Sequence, residues 1–278
     1  MTSRTRARVA CGIAWLCSAC GGGKADDNCR DLDGGLHLCG PTSVQVPVLA
    51  GSPSPEITAQ IDGREARVLV DTGAEATVMS STWLGVADAQ WIRAHEICVL
   101  DLCLYGEQIY AHDTEFSQPA AGDTNGFIGM ATLRHFVLEF DHDSSVRLAQ
   151  GAPACAGEQS PLSYNQDSVP LIDVSVDGHD FPATVIDSGS TFSVLSQPSL
   201  DLLDPYITAQ SQLADLCTVD GCQTGVAHTS AVMQYCVAGH CQANVPVKFP
   251  VFDGVGSSYL YLEHTAFDFP NSELIFCE

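Results

Sequence analysis

Lysine and arginine are scarce in this chain: 11 among 278 residues, against 34 aspartates and glutamates, for a net charge of −23. That balance argues against nucleic-acid binding, which needs a basic face to displace phosphate counterions. It also argues against electrostatic attraction to an anionic membrane surface. Long hydrophobic runs are missing as well, and no apolar stretch reaches the roughly 18 residues that span a bilayer. Several catalytic signatures are absent. There is no G-x-S-x-G elbow, no H-E-x-x-H among the 9 histidines, and no Walker-type or G-x-G-x-x-G phosphate loop. His135 and His142 are expected at the surface. What is present is ample core material, with 45% hydrophobic residues, 11 Phe and 7 Tyr. That composition excludes intrinsic disorder and suits one large domain or two small ones.

The N-terminus carries an address. Arg4, Arg6 and Arg8 precede a short apolar stretch from Val9 to Ala19, with no acid among them. This pattern is a secretory signal, too short for a transmembrane helix. It ends in Cys17-Ser18-Ala19-Cys20-Gly21-Gly22-Gly23. That ending resembles the lipobox of bacterial lipoproteins, with Cys17 standing where Leu is preferred. The resemblance implies a signal peptide over residues 1–19, lipidation of Cys20, and a flexible tether over 20–54. Gly21 lacks the aspartate typical of inner-membrane retention, which points to the outer membrane. The alternative is ordinary cleavage that frees a soluble periplasmic or secreted protein. Loss of residues 1–19 leaves 8 cations against 34 acids, a net charge of −26.

Cysteine usage agrees with export. Beyond Cys11, Cys17 and Cys20, ten remain: Cys29, Cys39, Cys98, Cys103, Cys155, Cys217, Cys222, Cys236, Cys241 and Cys277. An even number in an oxidising compartment suggests five disulfides. Three pairs share C-x4-C spacing: 98/103, 217/222 and 236/241. A two-residue turn puts such residues in a close, non-hydrogen-bonded cross-strand site, where a disulfide fits. Ala238-Gly239 is one such turn. The pairings 217/241 and 222/236 also match as rungs of one longer hairpin. Zinc is disfavoured, because C-x4-C is not the usual knuckle spacing.

The chain repeats itself. Asp71-Thr72-Gly73-Ala74-Glu75-Ala76-Thr77-Val78-Met79-Ser80 aligns without gaps over Asp187-Ser188-Gly189-Ser190-Thr191-Phe192-Ser193-Val194-Leu195-Ser196. Each block follows an Asp-Gly hairpin signal, Asp62-Gly63 and Asp177-Gly178, and then an apolar run. Downstream, Ile128-Gly129 matches Val255-Gly256, and Phe140-Asp141 matches Phe267-Asp268. Two such triplets in matched frames are far more specific than one. Short β-rich runs dominate. Helices are expected near 82–92 and 197–204, with a short one after each apolar-Gly pair. Residues 149–168 read as an interlobe linker.

An apolar strand delivers Asp71 into a turn at Gly73, and another delivers Asp187 into a turn at Gly189. If the copies pack as pseudo-twofold mates, the two carboxyls meet, share one proton and titrate as a unit. Such a pair can hold a water. One member takes its proton while the other protonates a carbonyl oxygen. Thr72 and Ser188 are expected to hydrogen-bond across the axis.

At this point the sequence resembles a pepsin- or retropepsin-type aspartic protease. Val70-Asp71-Thr72-Gly73-Ala74 is the retropepsin form of the motif, and Ile186-Asp187-Ser188-Gly189-Ser190 is closer to the second pepsin motif. Phe127-Ile128-Gly129 matches the apolar-apolar-Gly element, whereas Gly254-Val255-Gly256 departs from it. The resemblance implies an all-β, bilobal fold of two retropepsin-like lobes, residues 55–150 and 151–278. It implies Asp71 and Asp187 as the catalytic pair and Thr72, Gly73, Ser188 and Gly189 as their support. Tyr105, beside Gly106, is a candidate flap residue. The segment holding Cys217, Cys222, Cys236 and Cys241 is either a hairpin over the cleft or a stapled surface hairpin. No metal or cofactor is implied. The expected partner is a polypeptide substrate, the chain a monomer, and the activity endopeptidase cleavage, general or of one dedicated partner. The alternative function is an inactive peptide-binding scaffold of the same shape.

Overall fold

The computed structural model describes residues 29–50, 54–113, 124–141, 144–203, 210–218, 221–249 and 253–278. The chain runs β1 (Cys29–Asp31), β2 (His37–Cys39), β3 (Ser43–Pro47), β4 (Glu56–Ile61), β5 (Arg64–Val70), β6 (Val78–Met79), α1 (Ser81–Leu84), β7 (Gln90–Arg93), β8 (Glu96–Val99), β9 (Leu102–Tyr105) and β10 (Gln108–Ala111). It continues through β11 (Gly126–Ile128), α2 (Met130–Leu133), β12 (Val137–Asp141), β13 (Ser145–Ala149), β14 (Gly157–Pro161), β15 (Ser163–Tyr164), β16 (Pro170–Val176) and β17 (His179–Asp187). The remainder is β18 (Ser193–Val194), α3 (Gln197–Leu203), β19 (Gln210–Thr218), β20 (Gly221–Val237), β21 (His240–Phe249), β22 (Gly254–Gly256), α4 (Ser257–Glu263), β23 (Thr265–Asp268) and β24 (Glu273–Cys277). The fold is all-β with a few short helices.

Turn chemistry sets the hairpins. Asp62-Gly63 joins β4 to β5 with φ of 50° and 72°, and Asp177-Gly178 joins β16 to β17 with 48° and 82°. Ala238-Gly239 joins β20 to β21 with 47° and 92°. Two left-handed residues in succession form the turn whose twist matches the flanking strands. Cys98 lies opposite Cys103, and Cys236 opposite Cys241, one pair out from the turn. Both pairs are disulfide-bonded, with Cα atoms 4.0 and 3.9 Å apart. The Cys236–Cys241 bond excludes the pairings 217/241 and 222/236. Cys217 stands in register with Cys222.

Three sheets result. A ten-stranded sheet has the order β1-β2-β9-β8-β4-β5-β11-β6-β10-β7, and an eight-stranded sheet the order β15-β16-β17-β22-β18-β21-β20-β19. A six-stranded sheet, β14-β24-β23-β12-β13-β3, is closed at its middle by β12 and β23, where Leu138 faces Phe267. Its buried aromatics interlock. Phe140 meets Tyr261 and Phe267 edge-on at 5.8 and 5.9 Å, and Phe267 stacks on Phe269 at 5.4 Å. The strands alternate buried and exposed positions, and their inward residues merge into one apolar core.

Several expectations are corrected. Residues 29–49 are not a tether. Cys29–Cys39 is a disulfide, Leu36, Leu38, Val44 and Val46 are buried, and β3 pairs with β13. The stretch 149–168 is not a bare linker either, since β14 pairs with the C-terminal β24. Cys155–Cys277 closes that corner across 122 residues of chain. The helix expected over 82–92 stops at Leu84, where Gly85 (φ 75°) caps it in the left-handed conformation. The rest of that stretch turns into β7. His135 is half-buried, and burial, then Arg134 and Arg30, push it down to about 4. His142, Cys20 and the signal segment lie outside the described residues. Four disulfides among the described residues mark an oxidising compartment, extracellular or periplasmic. No helix among the described residues is long and apolar enough to cross a membrane.

Candidate active site

Strand β5 carries Val68 and Val70 into the core and ends at Asp71. Strand β17 carries Ile186 into the core and ends on Asp187. The chain then turns sharply in both places, and the carboxyl of each aspartate caps its own turn. Gly73 N–H donates to Asp71 Oδ1 at 2.9 Å, and Ser190 N–H donates to Asp187 Oδ1 at 3.0 Å. The two turns meet tip to tip. A Cβ on Gly73 would fall 2.6 Å from Asp187 Oδ1, and one on Gly189 would fall 2.6 Å from Asp71 Oδ2. No side chain fits at either position, so each glycine is what allows the opposite carboxyl to come close.

Thr72 and Ser188 lock the approach. Thr72 N–H donates to Ser188 Oγ and Ser188 N–H to Thr72 Oγ1, both at 3.0 Å. Each hydroxyl then donates onward, Thr72 Oγ1 to Ile186 O at 2.8 Å and Ser188 Oγ to Val70 O at 2.6 Å. Both residues are wholly buried, so every polar atom here is satisfied only by the facing turn.

Behind the turns the same supports recur. β11 runs parallel to β5 with Ile128 beside Val70, and β22 runs parallel to β17 with Val255 beside Ile186. Thr77 Oγ1 accepts from Gly129 N–H and Ser193 Oγ accepts from Gly256 N–H, each at 3.2 Å. Ala74 O accepts from Met130 N–H and Ser190 O accepts from Ser257 N–H, each at 2.8 Å. A Cβ on Gly129 would strike Ala76 and Ala74 backbone, and one on Gly256 would strike Phe192 backbone. At the departing position Gly254, the carbonyl accepts the buried Tyr235 hydroxyl at 3.0 Å.

The Asp71 and Asp187 carboxyls are neighbours where the turns meet, and each shifts the other's titration through its charge and through the hydrogen bond that forms when one of them holds a proton. Burial, followed by the charge of Asp187 and that hydrogen bond, raises Asp71 well above the usual carboxylate range. Burial also raises Asp187, while the hydrogen bond from Asp71 and the turn N–H groups pull it back. Both therefore hold a proton more readily than an ordinary carboxyl, and the two titrate as a pair. As whole residues, both are neither fully buried nor exposed. A groove of about 280 Å³ opens beside the first turn, lined by Gly73, Glu75, Asn165, Asp167, Val169 and Val185.

Tyr105 is not brought to this pair. It lies on β9 directly across from Glu96 on β8 and packs edge-on against His95 at 5.8 Å. Glu96 N–H in turn bonds Asp62, at the far end of β5 from Asp71. At about 3.3 Å per residue, that strand separates the two ends by roughly 20 Å. The Cys236–Cys241 hairpin likewise pairs with β16 as an integral part of its sheet. β19 extends that sheet by pairing with the first part of β20.

Two contributions escaped the motif search. Ser54 Oγ donates to Gly189 O at 2.9 Å, tying the chain before β4 to the second turn. Glu56, fully buried, pairs with Arg67 at 2.7 Å and accepts from Thr124 Oγ1 at 2.7 Å. Arg67 and Asn125 exchange backbone and amide bonds of 2.8 and 2.7 Å, so this cluster sets where β11 enters. Glu56 shares its parity along β4 with the exposed Thr58 and Gln60, so the alternation of the sequence gives no sign that it is buried. Two clusters gather glutamate with cysteine, Glu96 with Cys98 and Cys103, and Glu139 with Cys155 and Cys277. Their sulfurs are held in disulfides and do not offer the thiolates a metal requires. No protein-family model matches the chain, and no curated protein matches it.

Proposed function

We propose that this chain is an aspartic endopeptidase, with Asp71 and Asp187 activating a water for direct attack on a peptide bond. The observation that carries the reading is the meeting of two mutually braced turns that set the Asp71 and Asp187 carboxyls against each other's glycine, where both are raised above the usual carboxylate range. Ionised Asp187 takes a proton from the water as its oxygen bonds to the peptide carbon. Protonated Asp71 gives its proton to the carbonyl oxygen, and the tetrahedral species then breaks at the C–N bond once its nitrogen is protonated. Low solvent contact strengthens each transfer, and the rigid turns spare the site any reorganisation. The recurring supports at the two turns favour the two-lobed, pepsin- and retropepsin-like plan, with lobes over 55–150 and 151–278.

The N-terminal sequence favours an exported lipoprotein, cleaved after Ala19, lipidated at Cys20 and anchored in the outer membrane. Palmitate labelling of wild type but not Cys20→Ser tests that part. The catalytic part is tested by incubating the purified protein with a peptide library from acidic to neutral pH. Cleavage lost in both Asp71→Asn and Asp187→Asn supports the enzyme. Saturable peptide binding without turnover would replace it with the scaffold reading.

A further inference from the structure

We propose that the groove beside Gly73 receives a basic side chain of the substrate, one or two residues from the bond that is cut. The inference rests on the peptidase reading and names the substrate class of that site. The groove is lined by Gly73, whose N–H holds Asp71 and whose Cα faces the Asp187 carboxyl, so it adjoins the turn that carries the pair. Extended chain advances about 3.3 Å per residue, so a peptide bond at the pair places a neighbouring side chain at the groove.

The lining suits a long cation. Glu75 and Asp167 supply two exposed carboxylates, and neither has an ion-pair partner among the described residues. Val169 and Val185 supply an apolar wall for the methylene stem of lysine or arginine. Asn165 Oδ1 accepts from Asp167 N–H and Val169 N–H, both at 2.9 Å, which fixes the segment that carries Asp167.

The acidity is local to one side. Thr191 stands at the position of the second turn that Glu75 occupies in the first. The next residue, Phe192, carries the Lys248 ammonium 3.9 Å over its ring. Beside the second turn a cation therefore stands where the first turn carries an acid, a contrast which the overall net charge of −23 does not by itself produce. Such a field orients a peptide as well as binding it.

The test uses the full-length protein and matched peptides with a hydroxyethylene group in place of the scissile bond, carrying lysine or norleucine at the flanking positions. Binding is read by fluorescence anisotropy at low salt. Wild type should hold the best-placed lysine peptide about tenfold tighter than its norleucine twin. Glu75→Gln with Asp167→Asn should shrink that preference to about twofold or less. Glu65→Gln with Asp180→Asn removes the same charge from exposed sites at the far ends of β5 and β17, and should leave the preference intact. Equal binding of the twins by wild type, no binding of either, or the same loss in both double variants would overturn the proposal. Cleavable versions of the twins, run with wild type and Asp71→Asn, judge the peptidase reading separately. Dyad-dependent turnover with no charge preference sinks only the groove assignment.

Discussion

Thr72 and Ser188 each donate a backbone N–H to the other's hydroxyl at 3.0 Å, and each hydroxyl donates on to the carbonyl preceding the opposite aspartate. Four bonds thus close a ring across residues 116 apart in sequence. The same ring that joins the turns also sets how far apart the carboxyls can stand.

Breaking the ring should loosen both turns. Thr72→Val keeps the shape but strips the hydroxyl, leaving Ser188 N–H and Ile186 O unpaired in the interior. A buried orphan costs about 1–3 kcal/mol, so a loss of about 2–3 kcal/mol in urea unfolding is expected, with the slope unchanged. Thr72→Ser should retain most of the stability. If Thr72→Val unfolds at the wild-type midpoint, the ring carries no stabilisation.

Gly73→Ala and Gly189→Ala should each displace the opposite carboxyl, because the added methyl has no free space. Peptide cleavage is expected to fall at least about 100-fold, the scale of losing a positioned acid–base group. Wild-type turnover in either variant would show that the turns do not meet as described.

The raised carboxyls have a consequence for stability. Asp71 binds its proton more tightly folded than unfolded, mainly through burial and the neighbouring Asp187. Its contribution is therefore fully present below the unfolded value of 3.8 and is lost as pH rises toward the folded value. Asp71→Asn, which carries no charge to bury, should raise the melting temperature near pH 7 while abolishing cleavage. Melting curves at pH 3.5 and 7 check the sign. A variant destabilised at pH 7 would contradict it.

Glu56 should matter more than its distance from the chemistry suggests. Glu56→Leu leaves Thr124 without its buried acceptor, while the partly exposed Arg67 can turn to water, so a loss of about 1–3 kcal/mol is expected. Since Asn125 leads directly into β11, cleavage should fall together with stability. A wild-type unfolding midpoint in this variant would count against the role given to the cluster.

The disulfides should rank by the chain they enclose. Cys155–Cys277 spans 122 residues and Cys98–Cys103 only 5. Loop-closure entropy assigns the long bridge about 4–5 kcal/mol and the short one about 2. Paired serine variants, unfolded in urea, should follow that order.

The reach of sequence reasoning is clearest where it worked and where it stopped. Asp62-Gly63, Asp177-Gly178 and Ala238-Gly239 announce their turns because a left-handed pair is a local requirement that few residues meet. The gapless alignment of residues 71–80 over 187–196 singles out the two aspartates because each turn needs its glycine. The sequence misled over residues 29–49, where scattered Gly, Pro, Ser and Asp hide any periodicity before Val44. Only the pairing of β3 with β13 shows that Val44 and Val46 are core. Tyr105 failed as a flap residue because a strand position gives no direction until its neighbours are known. Here those neighbours are β2 and β8.

Read as a string, this chain determines its β character, its hairpins, its cysteine-rich export chemistry and the two repeated Asp-hydroxyl-Gly turns. All of these are properties of neighbouring residues and of their spacing. Tertiary structure alone decides that the Asp71 and Asp187 turns meet, that Ser54 ties to Gly189, that Cys155 finds Cys277, and that Glu75 and Asp167 face one groove. Those relations join segments far apart in the chain, and burial makes them worth forming only once the sheets have brought them together.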